Sequence, residues 1–457
     1  MTTSSLAALA AIWCSAPSGG GGGGAAPPSE AAPAQTTNDD AKPAATTATA
    51  AATKKTTTVL TATAGPAPAA SALPTTRRRV DRGPDGAELP PLTRLESALV
   101  AAFLTLWCGA PQLLALLALA SVAALLAGQW RAFLGAWAFI ALAFATTLIP
   151  TGVPGGGPSA RVRSSRLVAL VRRYFAYSTV CETQLDPDRP YLFASYPHGT
   201  YPLAPLLGMT VFRSASWHGK EFVGGAASSV FIVPLWAQGL RLIGCIPADR
   251  PRLLSALREG KSVGLCPGGI SEMYKYAAGA GAPPSSGGGA GGSRGGGGGG
   301  GAADDDADPL FGATSAAVSR CEHAVLMERR GFVALAIEAG VDLVPCFYFG
   351  NSVLFAFGPP WLERLGRRLK VSLGVLVGQW GLPCPHRVPL MQAVGRPVPV
   401  PRGGPGGRPL VRGTPEFERA VDEVHAEYRK ALEATYEKFR PAYGGGRLWA
   451  KRRLIIH

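Results

Sequence analysis

Tyr191-Leu-Phe-Ala194 followed by Ser195-Tyr-Pro-His-Gly199 reads as a short apolar strand running into a Pro-Gly turn that carries one histidine. Similar apolar runs closed by Gly or Pro recur at Ser262-Val-Gly-Leu-Cys266 and Val341-Asp-Leu-Val-Pro-Cys-Phe-Tyr-Phe349. Between them, Arg252 to Glu259 and Phe332 to Ala339 have helical spacing. Strands alternating with helices build a sheet covered by helices, so an α/β domain is expected over residues 160–450. Its last element is a charged helix, Glu416 to Phe439, whose Phe417, Val421, Val424, Tyr428, Leu432 and Tyr436 form one core-facing stripe. Residues 277–308 are almost pure Gly, Ala, Ser and Asp and read as a disordered insertion.

Upstream of this domain the pattern changes. Two blocks nearly free of charge, Ala98 to Gly128 and Ala132 to Ile149, are separated only by Gln129-Trp-Arg131. Each is long enough to cross ~30 Å of hydrocarbon, and so short a connector forces an antiparallel pair. Residues 96–150 are therefore expected to be a transmembrane hairpin, with Pro111 bending its first arm. Arginines crowd both flanks: Arg77, Arg78, Arg79, Arg82 and Arg94 before it, Arg161, Arg163, Arg166, Arg172 and Arg173 after it. Positive flanks stay in the cytosol, so both termini are expected there. Two buried helices of a soluble core remain the alternative. Arg166 to Tyr177 places Leu167, Leu170, Val171 and Tyr174 on one face, as in a helix lying on the bilayer or an ordinary packed helix. Residues 1–95 are Ala-, Thr-, Pro- and Gly-rich and are expected to be a disordered tail, too poor in bulky apolar groups to offset the entropy of ordering. The opening Met1-Thr-Thr-Ser-Ser-Leu6 has the hydroxylated composition of an organelle transit peptide, which keeps a plastid location as an alternative, although no Arg precedes Arg77.

Composition narrows the partners. The chain has 457 residues and a net charge of +15, yet only 16% are charged and 47% are hydrophobic. Its arginines sit beside apolar segments, without zinc-finger, basic-zipper or RNA-binding motifs, which favours a lipid surface over nucleic acid. The eight cysteines are scattered with no CxxC pair, as expected of reduced thiols rather than a metal site.

Three segments could carry chemistry. His198, between Pro197 and Gly199 at a strand end, is either a proton-transfer group exposed to a cleft or a residue that merely caps the turn. Cys266-Pro-Gly-Gly-Ile-Ser-Glu-Met273 also follows a strand; its turn offers backbone N–H groups for an oxyanion, or is a plain turn with a solvated Glu272. Glu328-Arg-Arg-Gly-Phe332 opens a helix, where Arg329 and Arg330 could hold phosphate oxygens or remain a solvated basic pair.

Together these segments resemble the type-2 diacylglycerol acyltransferases and their monoacylglycerol and wax-ester relatives. The likeness runs through Tyr196-Pro-His-Gly199, Pro267-Gly-Gly269 with Glu272, Arg329-Arg-Gly-Phe-Val333, Leu343-Val-Pro345 with Phe349-Gly350, Val394-Gly-Arg-Pro397, and His425 with Tyr428. It implies an acyltransferase-like sheet flanked by helices behind a membrane hairpin. It implies transfer of a fatty acyl group from acyl-CoA, a co-substrate rather than a cofactor, to diacylglycerol, with triacylglycerol as product. His198 and Glu272 become the catalytic residues. Tyr196, Pro197, Gly199, Pro267, Gly268, Gly269, Arg329, Arg330 and Gly331 become substrate contacts, and no metal is required. The resemblance also implies an endoplasmic-reticulum membrane or lipid-droplet protein, with membrane lipid among its partners; whether it forms a homo-oligomer is left open by the sequence. Monoacylglycerol, fatty alcohol or sterol as acceptor, and a non-enzymatic lipid-droplet hairpin protein, are the alternatives. Glycerolipid acyltransferases more widely pair their histidine with an Asp five positions on. Leu203 stands there, so Glu272 is the expected partner of His198.

Overall fold

The computed structural model describes residues 76–79, 91–151, 159–163, 165–211, 221–277, 321–358, 362, 374–404, 410–443, 449 and 452–457. The strands are β1 (Thr76–Arg79), β2 (Ser178–Cys181), β3 (Tyr191–Tyr196), β4 (Phe222–Ala226), β5 (Cys245–Pro247), β6 (Ser262–Leu265), β7 (Cys321–Ala324), β8 (Asp342–Phe349), β9 (Ala356–Gly358), β10 (Val375–Val377), β11 (Met391–Val394) and β12 (Arg453–Ile456). The principal helices are α1 (Arg94–Cys108), α2 (Ala110–Leu126), α3 (Trp130–Ala145), α4 (Arg166–Tyr174), α5 (Leu203–Val211), α6 (Trp236–Ile243), α7 (Arg250–Arg258), α8 (Gly269–Ala277), α9 (Gly331–Ala339) and α10 (Pro415–Phe439).

Eight strands form one sheet in the order β1-β2-β11-β8-β3-β6-β4-β5. β8, β3, β6, β4 and β5 run parallel, while β11 is antiparallel to β8. The expected α/β architecture is therefore present, with a mixed sheet. β3 and β8 are buried along their whole length, which is why they read as unbroken apolar runs rather than alternating ones. The stripe of α10 is buried as the spacing requires, from Phe417 to Tyr436. Tyr428 on that stripe donates its hydroxyl to the Ala194 carbonyl of β3 at 2.8 Å, fixing the helix to the central strand.

The bend expected at Pro111 is present in the apolar segment upstream. α1 and α2 meet at a 69° bend. Gly109 ends α1 and Pro111 starts α2, so the helical hydrogen-bond ladder breaks there; Gly109 also packs so closely on Pro383 that a side chain would overlap it. α1 belongs to the α/β core: Val100, Leu104 and Cys108 are buried in it. α2 has 17 residues, about 25 Å of helix. Trp130–Leu148, which contains α3, is the described segment long and apolar enough to cross a membrane. α4, one of whose expected positions was the bilayer surface, instead buries Val171 and Tyr174 in the core.

Of the tail, residues 1–75 and 80–90 lie outside the described residues. Thr76–Arg79 departs from the expected disorder by pairing antiparallel with β2. A strand needs only backbone partners to extend a sheet edge, so a charged segment with no apolar pattern can do it. Residues 278–308 of the insertion also lie outside the described residues.

Candidate active site

Three adjacent parallel strands, β8, β3 and β6, deliver three loops to one end of the sheet. Crevices outside the carboxyl ends of such strands are where open α/β sheets bind ligands. The loop after β3 carries His198, the loop after β6 carries Pro267-Gly-Gly269, and the loop after β8 carries Gly350-Asn351.

His198 is held by its main chain. Its N–H donates to Oε2 of Glu272, whose Oε1 accepts the Val325 N–H at 2.9 Å. Its carbonyl accepts from Nδ2 of Asn351 at 2.8 Å, and the Pro197 carbonyl accepts from the same nitrogen at 3.3 Å. Oδ1 of Asn351 in turn accepts the Ala204 N–H at 3.0 Å, joining the histidine loop to the start of α5. Gly199 adopts φ +63°, and a Cβ there would stand 2.9 Å from Asn351 Nδ2. Glycine is thus required both for the backbone turn and for the approach of Asn351.

The imidazole has a defined polarity. Nδ1 lies 2.9 Å from the Gly199 carbonyl. A carbonyl only accepts, so in the neutral ring Nδ1 carries the hydrogen and Nε2 the lone pair. Burial draws the His198 pKa below the ordinary histidine value, opposed in part by the bond to Gly199. Burial thus favours the neutral ring, in which Nε2 carries the lone pair.

Glu272 plays a different part from the one expected. It grips the His198 amide, not the imidazole, and is fully buried. Gly268 explains the motif spacing: α8 brings Glu272 back over the turn, and any side chain at Gly268 would overlap its carboxyl group. Burial pushes this carboxyl up to about 8, against the pull of the Val325 and His198 N–H groups; nearby Glu322 adds to the push. Glu322 is itself buried against Arg452 and accepts from Ser352 Oγ at 2.8 Å. At Leu203 a buried α5 residue fills the place where an aspartate was considered.

The remaining expected contacts divide. Gly269 has φ +50° and its N–H donates to the Cys266 carbonyl at 3.2 Å, so it is not a free oxyanion donor. Gly268 N–H has no partner among the described residues, and Pro267 is half-buried beside it. Tyr196 is fully buried in the core, and its hydroxyl has no hydrogen-bond partner among the described residues. Arg329 reaches Ser271 Oγ on α8 at 2.6 Å, next to Glu272, whereas Arg330 turns away to an ion pair with Asp422 on α10. Gly331 opens α9 in uncrowded space. Asn351 was missed from sequence. Its signal was a polar residue following a left-handed Gly350 directly after an eight-residue buried strand.

A histidine whose Nδ1 faces a backbone carbonyl, at the ends of three parallel strands, is the candidate proton-transfer site of this α/β sheet. The family model described as diacylglycerol acyltransferase matches residues 132–282 and 312–448, and the chain belongs to that family. It is an acyltransferase of lipid metabolism acting on acylglycerols. It is 23% identical to diacylglycerol O-acyltransferase 2A of Umbelopsis ramanniana, over 64% of this chain and 74% of that one. It is 25% identical to human 2-acylglycerol O-acyltransferase 3, over 64% and 76%. It is 28% identical to diacylglycerol O-acyltransferase 2-like protein 6 of Bos taurus, over 64% and 78%. Among solved structures, the LPA acyltransferase PlsC of Thermotoga maritima overlays 59% of this chain and 83% of that chain at 13% identity and a TM-score of 0.26, too loosely to add to the assignment.

Proposed function

We propose that this acyltransferase moves a fatty acyl group from acyl-CoA to the free hydroxyl of diacylglycerol, forming triacylglycerol, with His198 as general base. The observation that carries the reading is the Nδ1 contact to the Gly199 carbonyl, which reserves Nε2 for the substrate. Nε2 accepts the hydroxyl proton as that oxygen attacks the thioester carbonyl carbon. The C–S bond then breaks, and the departing CoA sulfur takes the proton from the imidazolium. The free Gly268 N–H is the candidate oxyanion donor, and Arg329, unlike the paired Arg330, is the candidate phosphate contact. Glu272 acts as a positioning residue through the main chain.

Diacylglycerol dissolves in the bilayer while acyl-CoA arrives from the cytosol. The α2–α3 pair holds the domain at the cytosolic face of the endoplasmic reticulum or a lipid droplet, with both termini on that side. Protection of one terminus in sealed microsomes would contradict this topology. Monoacylglycerol is the second reading, favoured by the similarity to a 2-acylglycerol acyltransferase. The test is expression in cells unable to make triacylglycerol, followed by labelled acyl-CoA with diacylglycerol, monoacylglycerol or fatty alcohol. Label in triacylglycerol supports the first reading, label only in diacylglycerol the second. Transfer by a membrane-inserted His198→Ala variant at the wild-type rate would refute the base assignment.

A further inference from the structure

One turn of the molecule displays a tryptophan to the outside at evident conformational expense. Gly378-Gln379-Trp380-Gly381-Leu382 folds back on itself through Gly378 N–H to Leu382 O at 2.7 Å, Leu382 N–H to Gln379 O at 3.0 Å and Gln379 N–H to Cys384 O at 2.8 Å. Gln379 bolts it to the domain: its Nε2 donates to Tyr174 Oη at 2.9 Å and to the Pro385 carbonyl at 2.5 Å. On this pedestal Trp380 adopts φ +57°, a region bulky residues avoid, and is 73% exposed. Leu382 beside it is 48% exposed. Among the described residues, none covers the outer face of the indole.

The surroundings identify what does. Trp380 and Leu382 form one wall of an open groove of about 490 Å³; Ala101 and Leu106 of α1 and Leu113 of α2 form the other. Pro383 wedges into the Gly109 bend between these helices. The exposed apolar residues then continue along α2 and α3, through Leu116, Leu119, Leu126, Leu134 and Phe139, with Arg131 at the turn between them the one charged residue of the two helices. Tryptophan is the side chain enriched where hydrocarbon meets headgroups. We infer that the Gly378–Leu382 turn is a second membrane contact, in which Trp380 and Leu382 enter the bilayer interface beside the α1–α2 bend. Bilayer lipid is the occupant of the groove. The inference rests on the reading that the α2–α3 pair enters the membrane, and adds a contact from a distant part of the chain.

The test uses the full chain in membranes opened to reagent on both faces. Trp380→Cys, Phe139→Cys on α3 and Glu418→Cys on the exposed face of α10 are treated with a polar polyethylene-glycol maleimide, with the wild-type chain as background. The expected result is that W380C and F139C react roughly tenfold or more slowly than E418C in membranes, and that detergent brings W380C to the E418C rate. W380C reacting as fast as E418C while F139C stays protected would overturn the anchor and leave the hairpin standing. Fast reaction at both would overturn the membrane reading itself. Protection of W380C that vanishes in lipid nanodiscs holding one copy would show a protein contact instead and equally overturn the proposal. Trp380→Ala is expected to raise the apparent KM for vesicle-borne diacylglycerol several-fold, with Trp380→Phe restoring most of it and the KM for acyl-CoA unmoved.

Discussion

The loop that carries His198 and the turn that carries Trp380 are both tight backbone folds anchored by one amide side chain. Asn351 holds the first through the Pro197 and His198 carbonyls, and Gln379 holds the second through Tyr174 and Pro385. They differ in what they do with the neighbouring protein. Around His198 the holding groups Glu272 and Asn351 are buried, and Nε2 of the imidazole has no hydrogen-bond partner among the described residues. Around Trp380 the polar holding groups lie beneath and the apolar group is turned outward. The first region spends its hydrogen bonds to aim a polar atom; the second uses them to aim a hydrophobic one.

The largest effect that would break this comparison is at the aimed nitrogen. His198→Ala is expected to lower kcat by about 100- to 10,000-fold, the usual range for a general base, without changing membrane insertion or thermal unfolding in detergent. The base works when neutral, and burial lowers its pKa. The acid limb of kcat/KM should therefore fall below 6.5, the ordinary histidine value. A limb above that value would mean that another group is titrating.

Next in size is the buried carboxyl. Glu272→Ala leaves the His198 and Val325 N–H groups buried without acceptors, at about 1–3 kcal/mol each. Displacing His198 by even ~1 Å is expected to lower kcat about 100-fold with a smaller change in KM. The pH dependence follows from a folded-state pKa of about 8 against an ordinary 4.5. The folded form keeps this proton where the unfolded form has lost it. The contribution to stability is thus complete below 4.5 and is lost as pH rises through about 8. Melting temperature in detergent should decline across that window, and Glu272→Gln should flatten the slope while giving up one acceptor. A wild-type stability that rises from pH 5 to 8 would contradict it.

These two residues also show what the sequence made legible. β3 and β8 could be read because fully buried strands have no alternation, and β6, buried only over its first half, because like them it is a short apolar run closed by Pro or Gly. The α10 stripe could be read because its period matches the helix. His198 and Glu272 stood out as residue types, but their geometry did not. Nothing local says that a carboxylate 74 positions away grips an amide rather than a ring. Asn351 was hidden for the same reason, since its partners lie on β3 and α5. β1 was hidden because edge pairing leaves no mark in side-chain pattern, whereas the bend between α1 and α2 could be read from Pro111.

A smaller effect sharpens the comparison at the amide clamp. Asn351→Ala removes the donor to two carbonyls and the acceptor for Ala204 N–H, and should lower kcat by roughly tenfold, about one to two neutral hydrogen bonds. Asn351→Asp should be worse, because an acceptor would then face two carbonyl oxygens. Gly199→Ala should resemble the alanine variant, since its Cβ meets Asn351 in a left-handed turn that strains any L-residue by about 1–2 kcal/mol. Equal activity of the aspartate and alanine variants would show that the clamp's polarity does not matter.

The smallest effect lies where α1, which lines the groove beside Trp380, meets the loop of His198. Trp107, near the end of α1, donates its indole N–H to Tyr201 Oη at 2.8 Å, three residues beyond His198. Its carbonyl accepts from the Trp236 indole at 2.6 Å, and its ring fills the notch left by Gly239. The helix leading into the apolar pair is therefore tied directly to the loop of the aimed histidine. Trp107→Phe keeps an aromatic ring in the notch and deletes only the donor, so it should destabilise by about 1 kcal/mol. If the tie also transmits membrane engagement to the site, the variant should lose a few-fold in kcat on vesicle-borne acceptor and nothing on acceptor in detergent micelles. Equal losses in both media would mean that Trp107 packs the loop but carries no signal from the bilayer.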